Sequence, residues 1–147
     1  MDINGLKESV LDAQRALVDA GVLEHTWGSL SAVDRDAGVL VIKPRGADYA
    51  RVRGSELAAV DLESGEVLEG EGAPSLDLAA HILLYKRWDE VGAIVHTHAP
   101  YATSWAQACL AIPCLGITHA GYFYGEIPLV RPLNAREVNN DYELNLG

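Results

Sequence analysis

Two short apolar runs bracket a loop of turn-forming residues, and the pattern then recurs further along the chain. Gly28-Ser-Leu-Ser-Ala-Val33 and Val39-Leu-Val-Ile-Lys43 flank Asp34-Arg-Asp-Ala-Gly38. Ala58 to Leu62 and Glu66 to Leu68 flank Glu63-Ser-Gly65. Runs of this length around Asp, Ser and Gly read as β-hairpins, which commits this part of the chain to antiparallel pairing. Helical patterns surround them. Leu6, Val10, Leu11, Leu17 and Val18 share one helical face, and Gly21 is a natural stop, so a helix is expected over about 4–20. Pro74-Ser75 should open an amphipathic helix carrying Leu78, Ala79, Ile82, Leu83 and Tyr85 to about Trp88. Gly92 to Thr97 reads as a buried strand and Pro100 to Ala108 as a helix with its proline in the first turn. Ile117-Thr-His119 and Ile127 to Val130 read as further strands. Asn134, with Glu137 three residues on, fits an N-cap and capping box. The expected fold is α/β, a largely antiparallel central sheet flanked by helices, in one domain over 1–147. It reads as C-terminally incomplete, because a new helix starts near the end with nothing after it to pack against.

Charge narrows the partners. A formal net charge of −10 and a pI near 4.8 offer no basic face for nucleic acid or an anionic membrane. No apolar run approaches the roughly 18 residues that span a bilayer. The N-terminus lacks the charged-then-apolar layout of a signal peptide, so the cytoplasm is the expected compartment. Cys109 and Cys114 match no CxxC spacing and are expected as two buried or semi-buried thiols rather than a disulfide.

Several residues could carry chemistry. In Ile94-Val95-His96-Thr97-His98 an apolar run ends in two histidines one residue apart. On a strand the side-chain period is two, which would put both imidazoles on one face with Cα atoms about 6.5–7 Å apart. They are then a metal pair, or one core and one surface histidine with ordinary hydrogen bonds. Asp77 and His81 stand i, i+4, so Asp77 is either a helix-dipole carboxylate or an acid/base group facing a substrate. Gly28 and Gly46 are places where backbone amides could approach an anion, and Lys43 and Arg45 add positive charge nearby. His25 and His119 each read as packed or surface histidines, or as ligands.

The order of these pieces resembles the class II aldolase/adducin family. It runs Thr26-Trp-Gly-Ser-Leu-Ser31, Val41-Ile-Lys-Pro-Arg-Gly46, Pro74-Ser-Leu-Asp77, Ile94-Val-His-Thr-His98, and Thr118-His-Ala-Gly-Tyr-Phe-Tyr-Gly125. The likeness extends from about Leu6 to Tyr142. It implies a metal-dependent retro-aldol and aldol epimerisation at carbon four of a pentulose phosphate. Another sugar-phosphate aldolase, or a non-catalytic adducin-like interaction module, are the alternatives. By position it makes His96 and His98 ligands of zinc or another divalent metal. Asp77 becomes the catalytic carboxylate beside that metal. Gly28, Ser29, Lys43, Arg45, Gly46 and Ser75 fall in or beside the substrate and phosphate pocket. It further implies a homotetramer with sites between subunits, a third metal histidine and a catalytic tyrosine in a C-terminal third that follows these motifs. This chain departs from the family pattern at Ser29 for asparagine, Arg45 and Leu76 for serines, and Gly121 for an aspartate that handles a proton. Weak or no turnover is the expectation for the chain as it stands.

Overall fold

The structure, a computed structural model, describes residues 2–140 and 142–146. Two compact units emerge, one formed by the chain up to Thr97 together with the residues from Asn134 on, the other by His98–Leu133.

The first unit opens with α1 (Ile3–Asp19), whose start is fixed by Asp2 accepting a 2.7 Å bond from the Gly5 amide. It ends in a Schellman turn. Gly21 takes φ +68°, and the Gly21 and Val22 amides return to the Val18 and Leu17 carbonyls. The two expected hairpins follow, β1 (Ser29–Asp34) with β2 (Val39–Ile42), and β3 (Ala58–Asp61) with β4 (Val67–Glu69). With β5 (Ala93–His96) they form a five-stranded antiparallel sheet in the order β4-β3-β2-β1-β5.

Strand alternation builds two cores. Leu30, Val39, Val41 and Ala59 face α1, where Leu6 and Val10 are buried and Leu11 and Leu17 pack alongside. Leu40, Ile42, Ala58 and Val60 face the other way, onto Tyr85 of α2 (Leu78–Arg87), with Ile82 and Ile94 beside it. Every residue of β2 is therefore buried, which is why its sequence is an unbroken apolar run. Each such side chain is worth about 1.5–3 kcal/mol in transfer free energy. Ser29 and Ser31 break this rule. They lie on the α2 side of β1, fully buried, and the site grows from them.

The helix expected from Pro74 starts later, at Leu78. Its first residues are diverted into extended pairing: Pro44 bridges Pro74, and the Ser75 amide donates to the Lys43 carbonyl at 3.0 Å. A backbone held extended in such a bridge does not have the φ and ψ of a helical first turn. Near the C-terminus, α5 (Ala135–Asn139) forms behind the expected capping box, Asn134 accepting from the Arg136 and Glu137 amides and Glu137 from the Asn134 amide. A last short helix, α6 (Tyr142–Leu146), lies against α2.

In the second unit α3 spans Pro100–Gln107 with its proline in the first turn. Two expectations fail here. Ile117-Thr-His119 lies in a helix, α4 (Ile117–Tyr122), whose turns close through Ala120 N–H to Gly116 and Phe123 N–H to His119. β-branched composition favours a strand only when a partner strand is present, and short apolar runs do not tell the two apart. Ile127 makes just a bridge to Ile112, and no strand follows over 128–130. Cys109 and Cys114 are exposed free thiols, not buried ones. No helix among the described residues is long and apolar enough to cross a membrane.

Candidate active site

The α2 face of β1 and the end of β5 meet the start of α2 at Asp77. This residue occupies the N-cap position, where an aspartate normally accepts from the helix's own amides. It makes no such bond. Its Oδ2 accepts instead from the Ser29 hydroxyl at 2.6 Å and from His96 Nδ1 at 2.9 Å, with a long 3.5 Å contact from the Ser75 hydroxyl. A cap worth about 1 kcal/mol is given up for a carboxylate aimed at two neighbouring strands. Oδ1 makes no hydrogen bond among the described residues, so one oxygen of a partly exposed carboxylate is left open.

Electrostatics follow from this contact. The hydrogen bond from His96 is the main reason Asp77 is held down at about 2, against the opposing effect of burial, and the same bond raises His96 above the ordinary histidine range. Deeper in, burial pushes His81 down to about 4. Its ring touches Ser29 at 3.2 Å and Ser31 at 2.7 Å, and Ser31 in turn touches the Tyr85 hydroxyl at 2.8 Å.

Gly28 sets the approach of β5. It takes φ +77°, and a Cβ there would lie 2.2 Å from the His96 carbonyl oxygen. Only glycine fits, and its absence of a side chain lets Ser29 pair with His96 in register.

Among the residues expected to act, the structure brings together Asp77, His96, Ser29 and Ser75, with Gly28 behind them. Lys43 is buried, its ammonium donating to the Thr26 and Ala47 carbonyls at 2.8 and 3.0 Å and lying 4.1 Å over the Tyr49 ring. Burial lowers its affinity for a proton, while Asp77 and Asp48 oppose that shift. Arg45 and Gly46 line a separate cleft of about 330 Å³ with Glu56 and Glu71. β5 ends at His96, so the strand-period argument does not reach His98, which opens the second unit. His25, at φ +52°, accepts the Tyr49 amide on its carbonyl and lines a cavity of about 460 Å³ with Glu24 and Asp48. His119 is taken up locally, donating from Nε2 to the Gly125 carbonyl at 2.8 Å. Gly121 lies in α4 with open space around it. No group of three His, Cys, Asp or Glu side chains placed to hold a metal occurs among the described residues. Sequence reasoning missed Ser31 and Tyr85. The signal was present: Ser29-x-Ser31 in a strand and His81-x-x-x-Tyr85 in a helix each put two polar groups on one face.

A profile of the class II aldolase and adducin N-terminal domain matches residues 8–141. The chain belongs to the class II aldolase and adducin family. Among solved structures it is similar to an L-fuculose 1-phosphate aldolase, at 31% identity and a TM-score of 0.70, over 75% of this chain and 51% of that one. YgbL from Klebsiella pneumoniae, described as a candidate aldolase/epimerase/decarboxylase, matches at 29% identity and a TM-score of 0.64, over 72% of this chain and 50% of that one. The L-fuculose-1-phosphate aldolase of Thermus thermophilus shares the fold, at 23% identity and a TM-score of 0.74, over 97% of this chain and 70% of that one. This class II aldolase-type chain thus spans about half the length of the first two.

Proposed function

We propose that this chain carries part of a retro-aldol centre for a phosphorylated sugar, of the L-ribulose-5-phosphate 4-epimerase type. The observation that carries this reading is the Asp77–His96 pair, a carboxylate and an imidazole 2.9 Å apart at a strand end, with Asp77 Oδ1 open. An aspartate at this position, rather than a glutamate, favours epimerase over aldolase. Asp77 Oδ1 is the acceptor for a substrate hydroxyl proton, and Ser29 keeps Oδ2 from competing for it. Arg45, exposed on its loop beside Gly46, supplies the charge-assisted contact for a phosphate. Lys43 holds the Thr26 and Ala47 segments in place behind Gly28 and Ser75.

His96, whose Nδ1 is held by Asp77, offers an imidazole of the kind zinc and similar divalent ions take, with the Asp77 carboxylate beside it. A divalent ion bound there would supply Lewis-acid polarisation of the ketose carbonyl. A homotetramer in the cytoplasm completes the proposal. The likeness to L-fuculose 1-phosphate aldolase favours a second reading, aldol cleavage without epimerisation.

Turnover of L-ribulose 5-phosphate and of L-fuculose 1-phosphate by the zinc-loaded chain separates the two. Slow epimerisation of the pentulose phosphate is expected, because Gly121 has no proton to give. Cleavage of fuculose 1-phosphate alone would move the assignment to aldolase. No turnover of either would favour a non-catalytic, adducin-like role.

A further inference from the structure

Five polar side chains run in a line from the candidate site into the sheet–helix layer: Asp77, Ser29, His81, Ser31 and Tyr85. Ser29, Ser31 and Tyr85 are fully buried and His81 is 2% exposed. An ionised carboxylate has no proton to give, so the order of donors can be worked out from its end. Ser29 must spend its proton on Asp77 Oδ2, at 2.6 Å. The same oxygen can then only accept from His81, so Nε2 carries the ring proton. Nδ1 is left as an acceptor, and Ser31 donates to it at 2.7 Å. The Ser31 oxygen accepts in turn from the Tyr85 hydroxyl at 2.8 Å. Each proton has one place to go, and every dipole in the chain points toward Asp77. Such aligned bonds polarise one another in a dry interior. Burial keeps His81 uncharged near neutral pH, as this order requires.

We propose that His81 is a positioning residue, fixed as its neutral Nε2–H tautomer by Ser31 and Tyr85, which orients the Ser29 hydroxyl onto Asp77 Oδ2 and so leaves Oδ1 to the substrate. The structural half of this concerns only the first unit. The catalytic half rests on the retro-aldol reading.

Long-range ¹⁵N–¹H correlation spectra of the 147-residue chain at neutral pH test the structural half directly. His81 is expected as the Nε2–H form alone in the parent protein. In Ser29→Ala, where that proton loses its acceptor, the two tautomers should mix. An Nδ1–H form, or a mixture in the parent protein, overturns the proposal, and needs no variant to fold. So does a folded Ser29→Ala with an unchanged ring. For the catalytic half, His81→Asn keeps a polar atom near Nδ1 only, whereas His81→Gln places an N–H donor near Nε2. Asn should lower kcat by about 10-fold or more with KM little changed, and Gln should recover part of it. Equal losses in the two variants overturn the positioning role. Absence of turnover in the parent protein would sink the retro-aldol reading while leaving the tautomer result to decide the proposal.

Discussion

Gly28→Ala should be among the most damaging single-methyl additions in the sheet. Two costs combine at this position. At φ +77° an alanine sits in the left-handed region, at about 1–2 kcal/mol. Its Cβ would also lie 2.2 Å from the His96 carbonyl oxygen, where real contacts stay beyond 3.0 Å, so β5 must retreat by about 0.8 Å. A shift of that size at the Ser29–His96 pair overpacks the strand and loosens its pairing, for a further 1–3 kcal/mol or so. Together the loss is about 3 kcal/mol, a large part of a typical domain's stability. Gly38→Ala is the control. It has φ +67° but nothing within 4 Å of the added carbon, so it carries only the backbone cost. Urea unfolding of both variants should show Gly28→Ala less stable than Gly38→Ala by about 2 kcal/mol. The His96 ring resonances should move in the first variant and stay in place in the second. Equal midpoints would refute the reasoning, since the carbonyl contact would then count for nothing.

Lys43→Met keeps the buried stem but orphans the Thr26 and Ala47 carbonyls, so a loss of about 2–3 kcal/mol is expected in the same denaturation assay. His81 has a folded value of about 4 against 6.5 unfolded, so the unfolded chain takes the proton first and stability falls as pH drops from about 6.5 towards 4. Between roughly pH 7 and 5 this amounts to about 2 kcal/mol. His96, raised by Asp77, works in the opposite sense: its contribution is present below 6.5 and lost as pH rises through its folded value. Unfolding of the parent chain and of His81→Gln across that range isolates the His81 share, and parallel curves would count against it. Asp77→Asn should cut turnover by about 100-fold while leaving the fold intact, checked by kinetics beside circular dichroism.

Much of the fold was legible because local rules and packing agree. The hairpins, the glycine stop of α1 and the Asn134 capping box each follow from a few neighbouring residues. Ile117-Thr-His119 was not, because its β-branched residues signal a strand whose partner never arrives, and a short helix closes through its own turns instead. The helix expected from Pro74 starts late for a long-range reason: the bridge to Pro44 holds that stretch extended. At the candidate site, motif order singled out Asp77 and His96, and the fold brings these two side chains to 2.9 Å. The buried links between them and the interior were harder, because they join residues about fifty positions apart in sequence through the chance meeting of a strand face and a helix face.

β5 is an edge of the described sheet, and Val95 on it is 42% exposed. Such an edge invites a strand from another molecule. A formal net charge of −10 opposes indiscriminate pairing at that edge near neutral pH. Approaching the pI near 4.8 removes that barrier just as His81 begins to take up a proton. Loss of solubility and loosening of the buried network should therefore arrive together, and light scattering on mild acidification should rise before the bulk of the helical signal is lost.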